Sequence, residues 1–101
     1  MTGPIPEAWK EQRAVESFEV DKEGRLRPQV LFAWFLAAAW GHTKGTPWSF
    51  EALTARRQMW VLNKLQLSIK RLPRWGEHIT IETWGKRIER FFALRDFVWT
   101  T

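Results

Sequence analysis

The chain has 101 residues, no cysteine, 45% apolar and 27% charged residues, enough for one domain with a thin core and too few for two. Lys and Arg number 16 against 11 Asp and Glu, a net charge of +5 that is too mild for a histone-like tail but favours acidic partners. Eight Trp and seven Phe argue against disorder, and the lack of cysteine excludes a disulfide scaffold, a thiolate metal site and a thiol nucleophile.

Residues 1–12, with Gly3, Pro4 and Pro6, read as a loosely attached lead-in that Trp9 can pin, and residues 13–101 as a single domain. The start MTGPIPEAWKEQR carries charges and prolines where a signal peptide has an apolar run. The longest apolar stretch, Val30 to Trp40, is about half of the roughly 20 residues a membrane span needs, so the expectation is a cytoplasmic chain without a span.

From Val15 to Val20, Phe18 and Val20 alternate with Glu19 and Asp21, the period of a short first strand, and Asp-Lys-Glu-Gly then supplies turn chemistry. Pro28 opens a helix that Gly41 is expected to end, with His42 capping it. Between them QVLFAWFLAAAW has no polar face after Gln29, which predicts burial on nearly every side, by a wrapping sheet or by a sheet below and a second subunit above. Ser49 is placed to cap a short helix, Phe50 to Ala55.

Three extended segments follow, Met59–Ile69, His78–Trp84 and Arg90–Thr101, joined by a hairpin at Leu72–Glu77 and by a turn or bulge at Gly85–Glu89. In the second, Ile79, Ile81 and Thr83 alternate against His78, Thr80, Glu82 and Trp84. The fold class is α+β, a central apolar helix packed on an antiparallel sheet.

The bases Arg71, Arg74, Lys86, Arg87 and Arg90 lie among Trp75, Trp84 and Phe91, as in a stacking platform for single-stranded nucleic acid. Core and hairpin packing is the preferred reading, because the two turns that carry the bases lie at opposite ends of the strand between them. No serine-hydrolase elbow, metalloprotease motif or phosphate loop is present, and no metal or cofactor is expected. Asp21, in the loop before the helix, and Asp96, in an apolar strand, are the acids placed for catalysis, although a structural role is preferred for Asp96. Asn63 falls on the apolar alternation of its strand, so its amide bonds backbone or faces a cavity.

The stretch FEVDKEGRLRPQVLFAWFLAAAWGH, then Trp60-Val61-Leu62, the hairpin Arg71-Leu72-Pro73-Arg74-Trp75-Gly76-Glu77, Glu82-Thr83-Trp84, and Ile88-Glu89-Arg90 with Ala93-Leu94-Arg95-Asp96-Phe97, resembles the N-terminal half of acyl-ACP thioesterases. Those enzymes release fatty acids from acyl carrier protein and are built from two fused hotdog domains. The resemblance implies a hotdog fold, and three strands after the helix where four are usual imply that the last one is lacking. In that family the catalytic Asn and His belong to the second hotdog. Here Leu26, Arg27 and Pro28 stand where single-hotdog thioesterases carry His and Asn, and the helix offers only alanines where an acid would sit.

The implied function is therefore the acyl-binding half of an enzyme hydrolysing fatty acyl-ACP in fatty acid biosynthesis. Its substrate wall would be Val30, Leu31, Trp34, Phe35 and Ala38 facing Val61, Asn63 and Leu65, and Lys64, Lys70, Arg71, Arg74, Lys86 and Arg87 would attract the carrier and its phosphopantetheine arm. A second hotdog domain or a homodimer partner is implied as well. The alternative is a non-catalytic acyl-binding or self-associating module, with a basic aromatic nucleic-acid binder behind it.

Overall fold

A computed structural model describes residues 8–59, 71–89 and 92–101, with backbone alone at 87–89 and 92–93. In chain order the elements are β1 (Trp9–Ala14), a 3₁₀ turn (Ser17–Glu19), α1 (Pro28–Thr43), α2 (Phe50–Ala55), β2 (His78–Glu89) and β3 (Phe92–Thr100). The three strands form an antiparallel sheet in the order β1-β2-β3, with Trp9 opposite Thr83 and Ile81 opposite both Glu11 and Trp99. Between Gly85 and Arg87 the pairing slips, which makes the bend expected at Gly85–Glu89 a bulge within one long strand.

The period-two reading of β2 holds: Ile79, Ile81 and Thr83 are buried, whereas His78, Thr80, Glu82 and Trp84 are at least partly open to water. Pro28 starts α1 from an extended Arg27, as its fixed φ favours. The helix lays Leu31, Trp34, Phe35 and Ala38 on Ile79 and Ile81, and Val15 and Leu26 close that core from the side. Phe97 of β3 stacks on Phe35 with ring centroids 4.9 Å apart. This is the helix-on-sheet plan that the pattern implied, and among the described residues no helix is long and apolar enough to cross a membrane.

Two expectations are corrected. The first strand is not Val15–Val20 but Trp9–Ala14, inside the segment read as a lead-in, so the boundary at residue 12 cuts a strand. Its inner-face residues are Trp9, Glu11 and Arg13, two of them charged, and an apolar alternation could not show them. Glu16 to Glu19 instead closes a capping box around the 3₁₀ turn, leaving Phe18 exposed.

Gly41 does not end α1, which runs on through His42 to Thr43. Its bareness leaves room for β1: a Cβ at Gly41 would stand 2.8 Å from Glu11 Oε1 and 3.2 Å from Trp9 Nε1, so a side chain there would have to displace these two side chains. Along the helix Ala33, Leu36 and Ala37 are exposed in this single chain, on the face for which a second subunit was the expected cover. The segment Met59–Ile69 falls, after its first residue, outside the described residues.

Ser49 caps α2 as expected, its Oγ accepting from the Ala52 N–H at 3.1 Å. Ser49→Ala is expected to cost about 1 kcal/mol, read as a lower denaturation midpoint at unchanged m-value. Ser49→Asp, which restores an acceptor, should recover most of it; equal loss in both variants would show that the cap contributes little.

Candidate functional site

The buried stripe of α1 begins apolar and ends polar. Leu31, Trp34, Phe35 and Ala38 recur at helical spacing, and the next residue on that face is His42, only 2% exposed. Across from it β3 turns Arg95 inward with Phe97 and Trp99, and β2 turns in Thr83. Arg95 Nη1 lies 2.8 Å from His42 Nδ1 and donates to Thr83 Oγ1 at 3.2 Å, while the Thr83 hydroxyl donates to the Asp96 carbonyl at 2.8 Å. A guanidinium only donates, so His42 Nδ1 accepts in this contact.

Trp9 stacks on His42 at 6.2 Å and donates its indole N–H to Glu11, which also accepts from Arg13. Arg13 in turn lies over the Trp34 ring at 5.6 Å. One chain of polar contacts thus runs from β1 across the last turn of α1 to β3. Burial pushes the Arg95 guanidinium down, yet a guanidinium stays charged at neutral pH, and the last-turn carbonyls of α1 favour a cation at that end.

This cluster does not assemble a nucleophile with a base. The Thr83 hydroxyl is committed to a carbonyl and to Arg95, the His42 Nδ1 lone pair is taken by a cation, and Ser49 caps α2. Among the described residues no group of three His, Cys, Asp or Glu is arranged to hold a metal ion.

Both candidate catalytic acids have structural partners. Asp21 accepts from the N–H groups of Glu23 and Arg25 at 2.8 and 3.1 Å and pairs with the Arg25 side chain, which closes the turn before α1. The Arg25 N–H is the main reason its carboxyl lies below the usual range. Asp96 points to the outer face, 3.6 Å from Lys86 of β2, with both side chains well exposed.

Of the expected substrate wall, Leu31, Trp34, Phe35 and Ala38 are packed into the core and Val30 is half-buried, while Val61, Asn63 and Leu65 lie outside the described residues. Two clefts border the sheet rather than this stripe. One, of about 370 Å³, is lined by Gln12, Arg13, Ala14, His78, Ile79, Thr80 and Thr101; the other, about 570 Å³ and shallow, by Ala8, Glu82, Trp84 and Gly85.

The expected carrier-facing cations divide. Arg71 is clasped by Glu77 and Lys86 is paired with Asp96, whereas exposed Arg74 has no carboxylate within salt-bridge distance among the described residues. Lys64, Lys70 and the Arg87 side chain are outside the described residues. Arg71 also covers Trp99 at 5.1 Å, while of the aromatics in the basic run Trp75 is exposed and Trp84 half-buried. The sequence did not group Trp9, Glu11, His42, Thr83 and Arg95 into one cluster; the spacing Leu31, Trp34, Ala38, His42 was the available signal for placing the histidine on the buried face.

Comparison with known proteins places this geometry. The family described as the acyl-ACP thioesterase N-terminal domain matches residues 6–100. Oleoyl-acyl carrier protein thioesterase 1, chloroplastic, from Arabidopsis thaliana is 25% identical over 97 residues, a match covering 90% of this chain and 27% of the plant protein. The crystal structure of an acyl-ACP thioesterase from Bacteroides thetaiotaomicron VPI-5482 superposes with a TM-score of 0.86 at 28% identity, covering 92% of this chain and 38% of that one. The chain therefore spans well under half the length of either relative. Helix and sheet together are a hotdog fold, and by the match along nearly its whole length the chain belongs to the acyl-ACP thioesterase N-terminal domain family.

Proposed function

We propose that this chain is the acyl-binding half of a thioester hydrolase acting on fatty acyl-acyl carrier protein in cytoplasmic fatty acid biosynthesis, and that the reacting groups come from a companion hotdog domain. The observation that carries this reading is the commitment of the inward-facing polar groups: His42, Thr83 and Arg95 bond to one another, leaving no paired nucleophile and base on the core face among the described residues. Membership of the N-terminal family supports the same division of labour.

In the reaction, water adds to the thioester carbonyl, the tetrahedral intermediate expels the phosphopantetheine thiolate, and the acid is released. Backbone N–H donors stabilise the oxyanion. This chain's part is to hold the acyl group against α1, Val30 and the strand expected around Val61, Asn63 and Leu65, and to keep water from the alkyl chain.

The isolated chain is expected to bind acyl-ACP but to hydrolyse it no faster than buffer, with turnover appearing when a companion domain is supplied in trans. Thioester release should be followed by a thiol reagent. Turnover by the chain alone that is lost in Asp21→Ala or Asp96→Ala would overturn the proposal.

A further inference from the structure

One end of the molecule is built more firmly than its loops suggest. The segment from Val15 to Arg27 and the hairpin from Arg71 to Glu77 are sewn together by backbone bonds: Val15 N–H to the Glu77 carbonyl at 2.9 Å, Gly76 N–H to Val15 at 3.0 Å, Leu26 N–H to Pro73 at 2.7 Å and Trp75 N–H to Gly24 at 2.9 Å. Beneath them Val15, Leu26 and Pro73 are buried, and Val20 and Leu72 pack on the core. Yet this rigid end presents Phe18, 75% exposed, and Trp75, 63% exposed, the two most exposed large apolar side chains among the described residues. Fraying does not account for them, because the backbone of each is bonded: Phe18 through its carbonyl to the Arg27 guanidinium at 3.0 Å, Trp75 through its N–H.

The charges around them are sorted. Glu16 and Glu19 close a capping box on each other's backbone. Asp21 and Glu23 are paired with Arg25, Glu23 at 2.6 Å, and Glu77 takes both nitrogens of Arg71 and the Arg74 N–H. The carboxylates of this end are thus engaged internally, while among the described residues Lys22, Arg27 and Arg74 have no carboxylate within salt-bridge distance; Arg74 feels the Glu77 charge and Arg27 bonds the Phe18 carbonyl. What remains for another molecule is two pre-positioned aromatic rings among three cations without a salt-bridge partner. Exposed Trp on a rigid base is the side chain that most often anchors a protein interface, and unpaired Arg beside it selects carboxylates or phosphate.

We propose that this loop-and-hairpin platform is the docking surface for an acidic protein that offers apolar side chains between its carboxylates. Resting on the function proposed above, that protein is the acyl carrier, with Trp75 and Phe18 as the apolar anchors and Arg74, Arg27 and Lys22 taking its acidic groups. Local charge at this end is nearly balanced, so recognition is short-ranged; the interface discriminates by contact rather than by long-range steering.

The test is titration of the full chain with holo-acyl carrier protein by calorimetry at two salt concentrations. Trp75→Ser is expected to weaken binding about ten-fold or more. The double variant Arg27→Glu with Arg74→Glu should weaken it comparably and flatten the salt dependence. Lys44→Glu, just beyond the far end of the 16-residue α1 and so about 24 Å from Arg27, should bind within about two-fold of the parent. Both altered side chains of the double variant and Trp75 are exposed, and circular dichroism checks that each variant keeps its fold.

If the parent binds and neither Trp75→Ser nor the double variant weakens it, this platform is not the docking surface, although the acyl-binding reading stands. If the parent does not bind the carrier at all, docking here and carrier recognition by this chain fall together. Equal weakening by Lys44→Glu would also overturn the placement, since the contact would then be general electrostatic attraction.

Discussion

Phe35→Ala is expected to destabilise the chain by about 3–5 kcal/mol. Phe35 is 4% exposed, and its ring stacks on Phe97 at an interplanar angle of 13°, so it joins α1 to β3 while filling the space between them. Removing it leaves a cavity that Leu31 and Ala38, fixed on the same helix face, cannot fill. A domain of this size has a total stability of roughly 5–15 kcal/mol, and the loss takes a large fraction of it. Urea unfolding followed by tryptophan fluorescence should show the midpoint falling steeply or the transition disappearing. Phe18→Ala is the internal comparison: its ring is exposed and should change stability by less than about 0.5 kcal/mol. Near-equal effects of the two substitutions would mean that the Phe35–Phe97 stack does not hold the helix to the sheet.

The second large effect is expected at Glu77. Its carboxylate accepts from both terminal nitrogens of Arg71, at 2.8 and 3.0 Å, and from the Arg74 N–H at 2.7 Å. The Arg71 bonds first, and then the Arg74 N–H, hold its carboxyl down to about 2 from an ordinary 4.5. The folded state therefore binds a proton less readily than the unfolded chain. The stabilisation is complete above about pH 4.5 and is lost as pH falls from there towards 2. Solvent reaches this pair and screens it, so its worth is well below what the shift alone implies. Glu77→Gln should lower stability at neutral pH and show a flatter stability profile between pH 4.5 and 2 than the parent. A parent profile flat across that window would show that the clasp is not energetically coupled to folding.

The legible parts of this fold were those in which hydrophobic period and burial coincide. Pro28 and the apolar run after it located α1, and Ile79, Ile81 and Thr83 located the buried face of β2. Leucine-proline and tryptophan-glycine steps located the hairpin whose Gly76 adopts φ +88°. The first strand was illegible for a physical reason. Its inward residues Glu11 and Arg13 neutralise one another at 3.3 Å and lean on Trp9 and Trp34, so the face that meets the core reads as polar in the sequence. The polar end of the site was hidden likewise, because His42 lay beyond a glycine taken for a stop and nothing in the local alternation paired Arg95 with it. Only their meeting, through elements that lie far apart in the chain, makes them a unit.

The strand WKEQRA has a consequence for how the chain is made. It leaves the ribosome about 70 residues ahead of its partners Ile79 to Thr83. Until they emerge the strand must wait unpaired, with the slow non-local closure that such a pairing entails. Lys10, Glu11, Gln12 and Arg13 act during that interval as gatekeepers: four consecutive polar side chains bar the segment from zipping onto another nascent chain. The charges that disguise β1 in the sequence are what let it survive until its neighbour arrives.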